Sequence, residues 1–203
     1  MPRISRAVAV GYPHHITQRG NYRQTVFKSD EDFNRYFQLL QKYSDKYSLK
    51  IWAYCLMSNH VHYVAVPMND NSLAKTFNAL HMMYSRYFNQ KSGGNGHLWQ
   101  GRFFSCVLDE LHVYAAVRYV ENNPVRANMV DKPEDYKWSS AGAHVYKNAD
   151  PVLAEGCYLI ARPSRNQITR SPHCSKGSRK NLRKPQRFSG IVVQRGLRTG
   201  VSI

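Results

Sequence analysis

Two histidines stand two residues apart in the run Asn59-His60-Val61-His62. In an extended strand residues i and i+2 project from one face, so both imidazoles would open onto the same volume. Neutral imidazole is a common ligand for divalent metals, and a pair on a rigid strand makes a half-built site. The spacing alone is weakly specific: with 9 histidines in 203 residues, an ordinary core or surface pair is the competing reading. A third donor can come from a later segment, where Tyr119 and Asn123 are four apart and share one helical face. The amide oxygen of Asn123 could complete a set of two nitrogens and one oxygen, leaving positions open for substrate oxygens. Tyr119 would then lie one turn back, beside the metal. A phenol is a weak nucleophile at its free pKa of about 10. Next to a metal-bound phosphate it can attack and form a covalent ester. The chain has 14 tyrosines, however, and most of them must pack or stack. Ligand softness would tilt a two-histidine site toward zinc or manganese over magnesium.

These residues need elements to hold them. Val8 to Gln18 is short, β-branched and aromatic and predicts a strand, followed by a basic turn at Arg19–Arg23. Ser29 opens a helix with Asp32 as its capping-box partner, and Phe33, Tyr36, Phe37, Leu40 and Tyr47 form its apolar stripe. Strands are predicted over Leu49–Met57 and Val61–Val66, with a hairpin turn at Ser58-Asn59. Asn71-Ser72 caps a second helix striped by Leu73, Phe77, Leu80, Tyr84 and Phe88. After a Gly93–Gly96 loop come a strand over Arg102–Leu108 and a helix from Glu110 to about Asn122, which Pro124 should stop. The order β-α-β-β-α-β and then α predicts an α+β, ferredoxin-like antiparallel sheet. Its helices are expected on one face, and the additional C-terminal helix carries Tyr119.

The formal charge of +16 and pI near 9.9 point to a polyanionic partner, nucleic acid first. Residues 162–203 hold 11 basic and no acidic side chains. The chain therefore divides at about 160 into a folded domain (1–160) and a basic arm (161–203), expected to be disordered and able to track phosphates. No run of eighteen apolar residues and no secretory signal occurs. Cys55, Cys106, Cys157 and Cys174 are scattered without a close pair, as idle thiols in a reducing compartment would be.

Four segments, in order, resemble the single-tyrosine HUH transposases of insertion sequences, closest to the REP-associated tyrosine transposases (U is an apolar residue). They are Tyr54-Cys55-Leu56-Met57-Ser58-Asn59-His60-Val61-His62, Ile16-Thr17-Gln18-Arg19-Gly20-Asn21, Leu98-Trp99-Gln100-Gly101-Arg102-Phe103, and Arg118-Tyr119-Val120-Glu121-Asn122-Asn123-Pro124-Val125-Arg126-Ala127. The likeness runs from about residue 10 to 145. It implies that His60, His62 and Asn123 bind Mg²⁺ or Mn²⁺ and that Tyr119 attacks a phosphodiester of single-stranded DNA. The products would be a 5′-phosphotyrosine and a free 3′-hydroxyl. Palindromic hairpins are the implied partner, with the protein acting as a monomer or homodimer in the bacterial cytoplasm, near the nucleoid. Arg19, Arg23, Trp99, Gln100, Arg102 and Arg126 interleave charge with stacking surface around these motifs and suit a single-strand groove. Two other readings compete: a domesticated hairpin-binding protein without turnover, and a metal-dependent hydrolase that uses water.

Removing residues beyond about 161 is expected to weaken binding to single-stranded DNA and to flatten its salt dependence. The log–log slope should drop by about 0.7 for each phosphate the arm no longer neutralises. Anisotropy titrations across a salt series measure this, and an unchanged slope would make the arm inert.

Overall fold

Two long strands with apolar side chains on both faces organise this protein. The computed structural model describes residues 8–155, so the expected basic arm at 161–203 lies outside the described residues. Strands β1 (His14–Arg19), β2 (Leu49–Met57), β3 (His60–Pro67) and β4 (Phe104–Val107) pair antiparallel in the order β2-β3-β1-β4. Helix α1 (Asp30–Lys46) links β1 to β2, α2 (Ser72–Ser92) links β3 to β4, and α3 (Glu110–Glu121) follows β4. This is the expected ferredoxin-like unit, with β3 inserted between the two strands that α1 connects.

The helices do not share one face, contrary to the expectation. Val61, Tyr63 and Ala65 of β3 pack with Tyr36, Leu40, Phe77, Leu80 and Tyr84 of α1 and α2. Val64, with Ala53, Cys55 and Met57 of β2, packs instead against Val113, Ala116, Val117 and Val120 of α3. Successive side chains of a strand point to opposite faces, so α3 covers the face opposite α1 and α2. The cause is visible in β2 and β3 themselves, which are apolar at nearly every position, as strands buried on both sides are.

Smaller departures have local causes. β1 starts at His14 rather than Val8, because the chain turns at Gly11, whose φ of 80° suits glycine. β4 is shorter than predicted and begins at Phe104, after Gly101 (φ 86°). Pro124 does not end the helical path: α3 stops at Glu121 and Pro124 sits in the first turn of α4 (Asn123–Arg126), where its missing N–H costs nothing. The predicted capping box at α1 forms, with the Asp32 carboxylate accepting from the Ser29 and Lys28 amides at 3.2 and 2.8 Å. Lys91 at the end of α2 reaches the same Asp32 at 2.8 Å and Glu31 at 2.7 Å, tying the two helices together.

The outer edge of β2 is covered rather than left open, as edge strands require. The Leu56 amide donates to Trp138 O at 2.9 Å, Ser140 N to Tyr54 O at 3.0 Å, and Ala154 N to Ile51 O at 2.8 Å. The same segment grips the tyrosine helix. Buried Glu121, two residues after Tyr119, accepts through one oxygen from Ser140 Oγ at 2.6 Å and from His144 Nδ1 of α5 (Ala141–Tyr146) at 2.5 Å.

Two stability predictions follow from these buried polar groups. Glu121→Ala removes the acceptor of His144 Nδ1 and leaves Ser140 Oγ only its longer bond to Tyr54 O at 3.3 Å. It is expected to lower the unfolding free energy by about 2 kcal/mol or more, measured by urea denaturation. In the core, Tyr63 OH donates to Tyr36 OH at 2.8 Å and Tyr36 OH to His81 Nε2 at 3.0 Å, so His81 must be neutral. Burial pushes its pKa down from 6.5 to about 3. Between those values the unfolded chain binds a proton that the folded chain refuses. Stability should therefore fall as pH drops through that window. His81→Gln keeps an acceptor for Tyr36 and is expected to flatten part of that fall, seen in urea melts at stepped pH.

Candidate active site

Strand period places the histidine pair as the sequence predicts. His60 and His62 lie on the α3 face of β3, with ring centroids 4.9 Å apart and planes at 80°. His60 Nδ1 is 2.5 Å from Asn59 Oδ1, an acceptor, so Nδ1 carries the proton and Nε2 keeps its lone pair. His62 Nδ1 is 3.3 Å from His15 Nε2, with the two rings within 5° of parallel. With His62 as the donor in that bond, its Nε2 is likewise left with a lone pair. Burial, then the Arg19 charge, lowers the His60 pKa to about 4. Burial, followed by His60, His15, Arg19 and Arg126, lowers that of His62 to about 2. Both rings are therefore neutral near pH 7, as ligands must be.

These residues fit a divalent ion. Each ring meets a neighbour through Nδ1, which leaves Nε2 facing away from that contact, as in metal-binding histidines oriented by an outer partner. Asn123, where α3 passes into α4, donates its amide hydrogens to Tyr119 O at 2.9 Å and Val120 O at 3.1 Å. Its Oδ1 is thus the atom available as a ligand. Among the described residues no group of three or more His, Cys, Asp or Glu could hold a metal ion, so the two imidazoles would need donors of another kind, from Asn123 or from the substrate.

Tyr119 is brought to the same place from α3. Its ring meets those of His62 and His15 edge-on, each with centroids 5.8 Å apart. The Arg126 guanidinium lies 5.0 Å from the Tyr119 ring centre, a cation–π contact made possible by the extra turn of α4. Around the two histidines a cleft of about 240 Å³ is lined by Thr17, Gln18, Arg19, His60, His62, Gln100, Arg102 and Phe104.

The remaining motif residues scaffold this cleft. Gly20 admits no side chain: a Cβ would meet Gln24 O at 2.5 Å and Val26 Cγ1 at 2.8 Å. Its amide donates to Asn59 O at 2.9 Å, docking the basic turn onto the β2–β3 hairpin. Within that turn Tyr22 and exposed Arg23 take left-handed backbone (φ 50° and 59°), and Arg23 lies outside the cleft lining. Gln100 N donates to Arg19 O at 2.9 Å and Gln18 Nε2 to Gly101 O at 3.0 Å, fastening the Leu98–Phe103 segment to β1. Trp99 also departs from the sequence expectation. It is 8% exposed, packed among Tyr36, His81 and Tyr84, so its ring belongs to the core and offers no face to a nucleobase.

Two residues beside the histidine pair, His15 and Phe104, are not among those that the motifs single out. Both carried a usable signal. His15, Thr17 and Arg19 share one face by strand period, and register sets Thr17 opposite both His62 and Phe104.

Comparison with known proteins agrees with this geometry. The sequence family described as IS200-like transposase matches residues 9–123. Among functionally curated proteins no sequence matches. The solved structure of a REP-associated tyrosine transposase bound to a REP hairpin is similar in fold at 18% identity, with a TM-score of 0.61, covering 85% of this chain and 98% of that one. A candidate transposase of Deinococcus radiodurans is 17% identical with a TM-score of 0.42, covering 63% of this chain and 98% of that one. With the family pattern spanning all four strands and the helix that bears Tyr119, this chain belongs to the IS200-like transposases.

Proposed function

We propose that this transposase cleaves and rejoins single-stranded DNA through Tyr119, with His60, His62 and Asn123 holding Mg²⁺ or Mn²⁺. The observation that carries the reading is the placement of the Tyr119 ring edge-on to His62, on the sheet face that His60 and His62 share. Tyr119 Oη attacks phosphorus and gives up its proton. The bond to the 3′-oxygen breaks, leaving a 5′-phosphotyrosine and a 3′-hydroxyl. Attack by another 3′-hydroxyl on the ester reverses the step, and since the ester conserves the phosphodiester, no nucleotide cofactor is consumed. When bound, the divalent ion supplies charge that polarises the non-bridging oxygens.

The chain's own residues do the rest. His15 fixes the ring of His62 through its Nδ1 contact at 3.3 Å. Arg19 and Arg102 line the cleft as phosphate partners, and Arg126 sets a positive charge against the nucleophile's ring. The Glu121 contacts to Ser140 and His144 hold the end of α3 and so the approach of Tyr119. A folded single strand carrying a palindromic hairpin is the proposed substrate. The net charge of +16 supports a polyanionic partner, and the structurally similar protein was solved with a REP hairpin.

The test is covalent trapping on labelled single-stranded hairpin DNA taken from beside the gene. Wild type with Mn²⁺ is expected to give a denaturation-resistant adduct, and EDTA to abolish it. Tyr119→Phe should lose the adduct and keep affinity within about twofold, and His60→Ala or His62→Ala should lower adduct formation by at least about 100-fold. Cleavage without an adduct would mean attack by water. Tight binding without cleavage by wild type would mean a hairpin-binding module.

A further inference from the structure

The cleft contains one group that phosphate chemistry does not use. Phe104 is 51% exposed and lines the cleft with His60, His62, Arg19, Gln100 and Arg102. A phenyl ring left this open to water is unfavourable unless something covers it. It does not arise from loose packing. Phe103 beside it is 4% exposed in the core, and β4 pairs Phe104 opposite Thr17 of β1, fixing its backbone.

The geometry points to Phe104 as the stacking platform for a nucleobase adjacent to the scissile phosphate, with Gln100 beside it to meet that base's edge. The inference rests on the reading of this site as one for single-stranded DNA, and adds where a base is held. Two guanidinium groups suit phosphate oxygens, an amide side chain both donates and accepts toward a base edge, and an open aromatic face suits a planar ring. At about 240 Å³ the cleft is smaller than the roughly 300–1,000 Å³ of sites that enclose a free ligand, which suits one nucleotide of a longer strand. Duplex DNA keeps its bases stacked on one another, so the platform selects unpaired strand.

A rival cover for Phe104 is a second copy of the chain, since β4 is an edge strand. Register argues against it. Val107, the other exposed apolar side chain of β4 at 38%, stands opposite His14 and so projects from the reverse face, and the two do not form one patch.

The experiment uses the full chain in EDTA, so that binding is read without chemistry. The ligand is a single-stranded hairpin oligonucleotide with 2-aminopurine, or an abasic residue, on either side of the phosphate that wild type cleaves. Phe104→Ala is expected to weaken single-strand binding by about tenfold or more, within the range of one base–aromatic stack, and to relieve 2-aminopurine quenching at one position. Phe104→Trp should restore both, and duplex affinity should not move. An abasic residue at that position should abolish the difference between wild type and Phe104→Ala. Additive effects of the two changes would overturn the proposal, as would unchanged affinity with an altered oligomeric state by light scattering. Additivity in a wild type that still forms the Tyr119 adduct overturns the Phe104 platform alone. Failure of wild type to bind single strands overturns the proposed function and the platform together.

Discussion

Everything in the site depends on the two-residue period of β3. His60, His62 and Val64 face α3, while Val61, Tyr63 and Ala65 enter the core beneath α1 and α2. Because both faces are covered, register has no slack: a slip by one residue would drive two imidazoles among Tyr36, Phe77 and Tyr84 and expose Tyr63. The hydrogen-bonded chain from Tyr63 through Tyr36 to His81 adds a polar key to the same register. Burying β3 on both sides thus holds the imidazole pair rigid.

The second requirement is that a helix distant in sequence be held against that face. Apolar contacts of Val113, Val117 and Val120 with β2 and β3 set the depth of α3, and Glu121 fixes its end. The rotation that results turns Tyr119 toward His15 and His62 while Val120 and Val117 stay in the core. Tyr119 and the imidazoles are therefore positioned by one packing solution. The segment after α4 both grips Glu121 and seals the β2 edge, coupling protection of the sheet to placement of the tyrosine.

Electrostatically the site is a neutral donor pair in a positive surround. Burial and the neighbouring Arg19 and Arg126 keep His60 and His62 uncharged, and Arg19 and Arg102 line the cleft beside them. A protonated pair would repel a metal ion. The sheet's refusal to let these rings charge thus preserves their lone pairs, and Arg19, Arg102 and Arg126 surround them with positive charge.

Local patterns in the sequence were enough to place four strands, the three main helices and their order, since alternation, helical stripes and turn residues are short-range signals. They also set His60 and His62 on one face and Tyr119 and Asn123 on another, because those pairings follow from fixed periods. Which side of the sheet α3 covers was not a local matter. It depends on β2 and β3 being apolar on both faces, and the continuous run in each strand was the clue to it. Trp99 shows the same limit: an aromatic flanked by basic residues reads like a groove residue, and only the surrounding rings of Tyr36, His81 and Tyr84 make it core. Pairing across strands brings His15 against His62 and Phe104 into the cleft, and Glu121 meets Ser140 and His144 from a later segment of the chain. By itself the sequence determined the elements and the two residue pairs, which local geometry dictates. The tertiary structure alone decided how those pairs meet and what surrounds them, because that depends on long-range packing and register.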